Sequence, residues 1–361
     1  MTRALELARS VRRLTPPNPW VGCVIVRDGV VVGEGATEPP GGAHAEVVAL
    51  AAAGERARGA DVYTTLEPCA HVGRTGPCTN ALLDAGVARV FSAMDDPDPR
   101  VAGRGHAMLR ASGVVVDVGI GAQEGNVLLA PYVVHRTLGR SFALLKAATS
   151  LDGRVRAADG ESRWITGAEA RADGHEQRAD SQAIVVGSGT VLADDPELTA
   201  RDATGPHGPP ALRVVVDGRG RVPATSRIFD TTAAPTLVVT GPRAPDTALE
   251  AWSAAGAEVA IEPAGADGGV DALALLRLLA DRGVLQALVE GGPTLHRSFL
   301  TAGVADALVT YVAPVILGAG ALPAYGLEPG PPLAGAPRFR LRNATPLGDD
   351  VRLQYAPIPP H

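Results

Sequence analysis

The residues with the most chemical meaning lie early in the chain. His44 and Glu46 stand two apart, Cys69 follows Pro68, and Cys78 comes after eight intervening residues. One imidazole and two thiols form a donor set that suits Zn²⁺. Three protein ligands leave the fourth tetrahedral position to water, which marks a catalytic site rather than a structural one. Zinc brings the pKa of such a water down to about 7. Glu46 is placed to take a proton from that water and pass it to a substrate. Cys23 sits inside an apolar run and reads as core.

A His-x-Glu followed by Pro-Cys-x-x-Cys is the signature of nucleobase zinc deaminases. His44, Glu46, Pro68 and Cys69 match it, while the long gap before Cys78 departs from it. The ligands are expected near helix N-termini, where the dipole favours thiolate and hydroxide. Asn18, in the run Pro16-Pro17-Asn18-Pro19, offers a donor and an acceptor that could read a pyrimidine edge. Arg74, in the insert between the cysteines, could hold a substrate phosphate. His71 is too near Cys69 to close the zinc shell easily; it meets substrate or lies on the surface.

The second half offers a different signal. Lys146 is the one lysine in a chain with 33 basic residues. Guanidinium and ammonium are not interchangeable, so a position that resists Arg points to a compact charge. Its neighbours in the run Phe142 to Ala147 are apolar, and a charge there is costly unless it reaches a cleft or a partner. Gly187-Ser188-Gly189 lacks a third glycine, because Leu192 stands in its place, so a standard dinucleotide fingerprint is rejected. Glu290-Gly291-Gly292-Pro293-Thr294-Leu295 reads as a strand-to-helix turn that a phosphate can approach. Thr190 to Pro196 reads as a polar loop after a strand, a common place for ligand contacts.

These residues need elements to hold them. Residues 3–14 predict a helix. Val21 to Val26 and Val30 to Gly35 predict a hairpin across Arg27-Asp28-Gly29. His44 to Ala53 reads as a helix, Asp61 to Leu66 as a strand, Thr79 to Ala85 as a helix, and Val87 to Met94 as a strand. A helix over 101–112 and a strand from Val114 to Val118 follow. Residues 119–140 show no strong period and read as a connection. Six strand candidates follow, from Phe142, Ala183, Leu212, Thr236, Leu285 and Leu308, with a helix from Asp271 to Asp281. Residues 202–211 and 318–337 read as Gly/Pro-rich loops. The pattern predicts two α/β domains, 1–140 and 141–361, each a sheet flanked by helices.

Composition removes other classes. The net charge of −6 and the lack of a basic block speak against general nucleic-acid or membrane-surface binding. No apolar run reaches the ~18–20 residues of a membrane span. Three cysteines are too few for a disulfide framework. The arginine-bearing N-terminus does not read as a signal peptide. The expectation is a cytoplasmic protein with reduced cysteines.

The ordered motifs resemble the bifunctional riboflavin-biosynthesis deaminase/reductase family over nearly the full length. The first domain carries Pro17-Asn18-Pro19-x-Val21-Gly22-Cys23, His44-Ala45-Glu46, Leu66-Glu67-Pro68-Cys69 and Gly73-Arg74-Thr75-x-Pro77-Cys78. The second carries Lys146-x-Ala148-x-Ser150-Leu151-Asp152-Gly153, Ser162-x-Trp164-Ile165-Thr166, Thr190 to Pro196 and Val289-Glu290-x-Gly292-Pro293-Thr294-Leu295. The long cysteine spacing is this family's own.

The resemblance implies a cytidine-deaminase-like three-layer domain followed by a dihydrofolate-reductase-like domain. It implies zinc-dependent deamination of 2,5-diamino-6-(5-phosphoribosylamino)pyrimidin-4-one, then NADPH-dependent reduction of the ribosyl group to ribityl. His44, Cys69 and Cys78 would hold zinc, Glu46 would shuttle protons, and Asn18, His71 and Arg74 would contact substrate. In the reductase, Lys146, Ser162, Arg178, Leu198, Arg201 and Glu290 would line the substrate site. Ala148, Trp164, Thr190, Asp194, Gly292, Pro293, Thr294, Leu295, His296, Arg297 and Ser298 would meet NADPH. Gly218 departs from relatives that carry Ser or Thr there. A homo-oligomer acting on small molecules is the family expectation.

Three other readings stay open at this point. One is a zinc deaminase for a nucleoside or tRNA with an unrelated second domain. Another is a binding protein with a structural zinc, which needs a fourth ligand. The third is a chain with only one active domain.

Overall fold

The computed structural model describes residues 1–358 except 71–75, 100, 202, 207, 266–267 and 328. His71 and Arg74 therefore lie outside the described residues. The chain divides into two compact units. One holds Met1–Gly139 with Pro206–Pro209; the other holds Arg140–Gly205 and Pro210–His361.

The first unit runs α1 (Thr2–Ser10), β1 (Gly22–Arg27), β2 (Val30–Ala36), α2 (Ala45–Ala53), β3 (Asp61–Thr64), α3 (Cys78–Ala85), β4 (Arg89–Ser92), α4 (Arg104–Ala111), β5 (Val115–Val118), α5 (Ala122–Leu128) and α6 (Ala130–Leu138). Its sheet order is β2-β1-β3-β4-β5. β1 is antiparallel to both neighbours, and β3, β4 and β5 are parallel. The β1–β2 turn puts Asp28 at φ 50° and Gly29 at φ 77°, the double positive φ that suits a two-residue hairpin loop.

Glycines show which helix covers which face. A Cβ on Gly22 would lie 2.0 Å from the Ala4 carbonyl oxygen of α1. On Gly33 and Gly35 it would lie 2.3 Å from carbonyl oxygens of α2. Gly22 pairs with Ala36 and Cys23 with Gly35, so Gly22 and Gly35 point to opposite faces. α1 and α2 thus sandwich the sheet, giving three layers. Cys23 is fully buried, as expected of a core residue.

Two expectations for this unit need correction. The first helix ends at Ser10, and the chain turns through Thr15 to meet Pro16, where the preceding residue disfavours helix. The stretch 119–140 holds two helices, α5 and α6. They have only 7 and 9 residues, too few turns for an apolar period to show.

The second unit runs β6 (Phe142–Ser150), β7 (Arg154–Arg156), α7 (Ala168–Ala179), β8 (Ala183–Gly187), α8 (Ser188–Asp194), β9 (Leu212–Val216), β10 (Thr236–Thr240), α9 (Asp246–Ala254), β11 (Glu258–Ile261), α10 (Ala272–Asp281), β12 (Gln286–Val289), α11 (Pro293–Thr301), β13 (Ala307–Ala313), β14 (Leu322–Pro323), β15 (Phe339–Leu347) and β16 (Asp350–Pro357). Nine strands form one sheet in the order β11-β10-β9-β8-β12-β6-β13-β16-β15. The first seven are parallel, and the β15–β16 hairpin closes the sheet antiparallel. β7 and β14 form a separate pair.

Strand alternation splits the core in two. Ala143 and Leu145 of β6 face a cluster built with α10 and α11. Leu144 faces the opposite side, with Ala170 of α7 and Tyr311 of β13. Lys146 follows the same period onto the α7 side. The expected loop at 190–196 is instead mostly α8, which starts after Gly187 and makes only two turns. β15 escaped the sequence reading because it is exposed along most of its length and shows no apolar alternation. Among the described residues no helix is long and apolar enough to cross a membrane.

Candidate active sites

In the first unit the sequence-expected ligands meet. His44 caps the N-terminus of α2, Cys78 opens α3 after Pro77, and Cys69 sits in the loop between β3 and α3. His44 Nδ1 lies 3.2 Å from Cys78 Sγ and 3.5 Å from Cys69 Sγ. The three donor atoms all fall within 4.8 Å of one another. Ligands of a tetrahedral zinc at ~2.0–2.3 Å sit roughly 3.5 Å apart, so this donor set fits the ion. The N–H of Cys78, at the start of α3, donates to Cys69 Sγ at 3.3 Å. A hydrogen bond from Cys78, helped by His44, holds the Cys69 thiol down at about 4. The Cys69 thiolate is therefore favoured, while the same contact and burial push the Cys78 thiol up.

Glu46 lies in the first turn of α2, 3 % exposed, with Thr64 Oγ1 donating to its Oε1 at 3.4 Å. Burial raises its pKa, and the Cys69 charge adds to that. A cavity of about 150 Å³ opens in front of this group, lined by Asn18, His44, Glu46, Cys69, Asp96 and Tyr132 among others. Asn18 thus reaches the site. Sequence reasoning missed Asp96, whose pKa burial raises to about 6 and whose carboxylate accepts from the Tyr132 hydroxyl at 3.2 Å.

It also missed the work of Glu67. Its buried carboxylate accepts backbone N–H groups of Asp96, Gly103, Gly105 and His106 at 2.8–3.3 Å. This ties the loop that carries Asp96 to the loop that carries Cys69. The adjacency Glu67-Pro68-Cys69 was the available signal. Glu67, Asp95 and His106 also cluster closely. Four N–H donors already occupy the Glu67 carboxylate, so the cluster is accounted for by backbone anchoring.

The second unit opens a cleft of about 900 Å³ at the C-terminal ends of its parallel strands, where open α/β sheets bind ligands. Val289 pairs with Leu145, so Glu290 comes level with Lys146 across the β12–β6 pair. Arg178 of α7 donates to both Glu290 carboxylate oxygens at 2.8 Å. Burial raises the Glu290 carboxyl, but Arg178 and Lys146 outweigh it and hold it at about 2. Burial pushes the Lys146 amine down, against the pull of Glu290.

Ser162, Leu198 and Arg201 line the same cleft, as do Ala148, Trp164, Thr190, Asp194, Gly292 and His296. Trp164 is 68 % exposed, with the Arg171 guanidinium 4.7 Å from its ring centroid. Arg163 donates to the Asp194 carbonyl at 2.8 Å, tying the Trp164 segment to α8. Not all of the turn after Gly292 faces the cleft. Leu295 packs into the core, Gly292 and His296 line the cleft, and Pro293, Thr294, Arg297 and Ser298 lie on α11.

Both halves of the chain have counterparts among known proteins. Residues 1–94 match the cytidine and deoxycytidylate deaminase zinc-binding region, and residues 141–353 match the RibD C-terminal domain. The chain is 45 % identical to the riboflavin biosynthesis protein RibD of Chlamydia pneumoniae, over 98 % of this chain and 94 % of that protein. It is 41 % identical to RibD of Escherichia coli K12, over 98 % and 97 %. The solved structure of Acinetobacter baumannii RibD (form 1) superposes with a TM-score of 0.87 at 37 % identity, covering 99 % of this chain and 98 % of that one. A Thermotoga maritima diaminohydroxyphosphoribosylaminopyrimidine deaminase/5-amino-6-(5-phosphoribosylamino)uracil reductase gives 0.84 at 32 % identity, covering 99 % and 97 %. This chain therefore belongs to the RibD family of riboflavin-biosynthesis proteins, as a bifunctional enzyme with a cytidine-deaminase-like zinc domain and a dihydrofolate-reductase-like, NADPH-dependent reductase domain.

Proposed function

We propose that residues 1–140 deaminate 2,5-diamino-6-(5-phosphoribosylamino)pyrimidin-4-one and that residues 141–361 then reduce its ribosyl group to ribityl. The observation that carries the first half is the convergence of His44, Cys69 and Cys78 beside the buried Glu46. Zinc held by those three residues supplies the Lewis acidity that makes water a nucleophile at neutral pH. Glu46 takes the proton that water gives up and delivers it to the departing amino nitrogen, which leaves as ammonia. Asn18 reads the pyrimidine edge, and His71 and Arg74 contact the rest of the substrate, Arg74 at its phosphate.

NADPH bound in the second unit would supply the hydride needed to reduce C1′ of the opened sugar. The residues that would hold the cofactor are Ala148, Trp164, Thr190, Asp194 and the turn Gly292–Ser298, of which Gly292 and His296 line the cleft. Ser162, Arg178, Leu198, Arg201 and Glu290 hold the substrate. Lys146 has no hydrogen-bond partner among the described residues, so its N–H donors are available to orient or polarise a sugar oxygen. The expected setting is a cytoplasmic homo-oligomer whose partners are small phosphoribosylaminopyrimidines.

One incubation tests both halves. Zinc-loaded protein and the diaminopyrimidine phosphate should release ammonia with or without NADPH, and NADPH should be oxidised only after deamination. No ammonia would refute the deaminase assignment. Ammonia with no NADPH consumption would refute the reductase assignment.

A further inference from the structure

The Lys146 side chain is half-buried where it reaches into the cleft, and an aromatic face lies beside its ammonium. Its Nζ lies 5.5 Å from the ring centroid of Tyr311. Register explains the meeting. Val309 of β13 pairs with Lys146 and Tyr311 with Ala148, so Lys146 and Tyr311 share the sheet face covered by α7. Tyr311 is 1 % exposed.

The tyrosine is itself held. Its hydroxyl donates to Asp173 Oδ2 of α7 at 2.6 Å. Arg352 of β16, which pairs with Tyr311 in register, donates to Asp173 Oδ1 at 2.6 Å and to Thr345 Oγ1 at 3.2 Å. The chain Arg352–Asp173–Tyr311 fixes the ring plane. Donation to a carboxylate also pushes electron density into the ring, which strengthens its attraction for a cation.

The charged groups around Lys146 leave the ring a task. Arg178 of α7 repels the ammonium, and burial disfavours it. Glu290 attracts it, but both of its oxygens already accept from Arg178. His296 of α11 is kept toward its neutral form by burial and by Lys146 itself. His175 of α7 lies near Glu290 and favours that group's charged form. Asp173 is spent on Tyr311 and Arg352. A cation within about 6 Å of a desolvated tyrosine face gains a substantial attraction.

We propose that Tyr311, anchored by Asp173 and Arg352, is a positioning residue that carries the Lys146 ammonium on its ring face, keeping it charged and aimed into the reductase cleft. This deepens the reading of Lys146 as a substrate-orienting group and rests on it. The sequence offers a direct test, because Lys146 is the only lysine in the chain. Protein labelled with ¹³C-lysine gives a single Cε signal, whose pH titration reads this amine in the full chain without substrate or NADPH.

Tyr311→Phe keeps the face and should leave the midpoint within a few tenths of a pH unit. Tyr311→Leu removes the face and should lower the midpoint by about one pH unit. An unchanged midpoint in Tyr311→Leu would overturn the proposal. If that variant does not fold, fluorinated phenylalanine in the Tyr311→Phe protein weakens the face without changing its shape. The midpoint should then fall stepwise with fluorine number, and a flat series would overturn the proposal.

The alkaline limb of the reductase pH–rate profile, measured with deaminated substrate, should move with the midpoint. A midpoint that falls while the rate profile stays put supports the Tyr311 assignment and removes Lys146 from the reaction.

Discussion

In the first unit three ligand atoms come from two helix starts and one loop and gather within 4.8 Å, facing a cavity of about 150 Å³. In the second unit the cleft is about 900 Å³, and its wall draws on β6, α7, α8 and the turn after β12. The chemistry explains the contrast. A metal centre concentrates its work in a few donor atoms, so short-range spacing suffices to build it. A hydride-transfer site must seat a dinucleotide and a phosphorylated sugar together, so the sheet topology itself has to build it. Removing one group should therefore silence the first site, and should only degrade the second.

The largest effect expected from this contrast is Glu46→Gln. It should lower deamination by about 10³-fold while zinc content stays at one per chain and reduction of deaminated substrate is unaffected. Metal analysis, ammonia release and NADPH oxidation on one preparation check all three; retained deamination would break the contrast. Lys146→Arg comes next. Its bulkier, planar charge should cut reductase turnover by about 10²-fold and leave ammonia release alone. Full reductase activity would show that the position tolerates any cation.

The smallest effect concerns stability. Asp96 has a raised folded-state pKa of about 6 against an ordinary value of 3.8. The folded state thus binds the proton more tightly, and stability is lost as pH rises through that interval. Asp96→Asn removes this penalty, so its melting temperature should exceed the parent's by a few degrees near pH 8 and match it near pH 4. An equal difference at both pH values would contradict the charge argument.

The same contrast explains what the sequence disclosed. His44, Glu46 and Cys78 were legible because each sits at a helix start that local pattern marks, and Cys69 because it follows Pro68 in the loop before α3; thiols and imidazole are also distinctive donors. Lys146 was legible as a lone lysine among arginines. Its neighbours were not. Tyr311 and Arg352 reach it only through β13–β6 and β13–β16 register, and Asp173 only through the packing of α7. Glu290 meets Lys146 because β12 and β6 are adjacent although far apart in the chain. No spacing rule exposes such meetings, so the cleft was reached through family resemblance. α8 was read as a loop because two turns cannot display a helical period.

The central claim is that one chain carries two separable sites used in sequence. Mixing Glu46→Gln protein with Lys146→Arg protein tests it directly, by NADPH oxidation starting from the diaminopyrimidine phosphate. Each variant alone should oxidise NADPH slowly, and the mixture should recover rapid oxidation after a lag while deaminated intermediate accumulates. A mixture no faster than the sum of its two components would contradict the account.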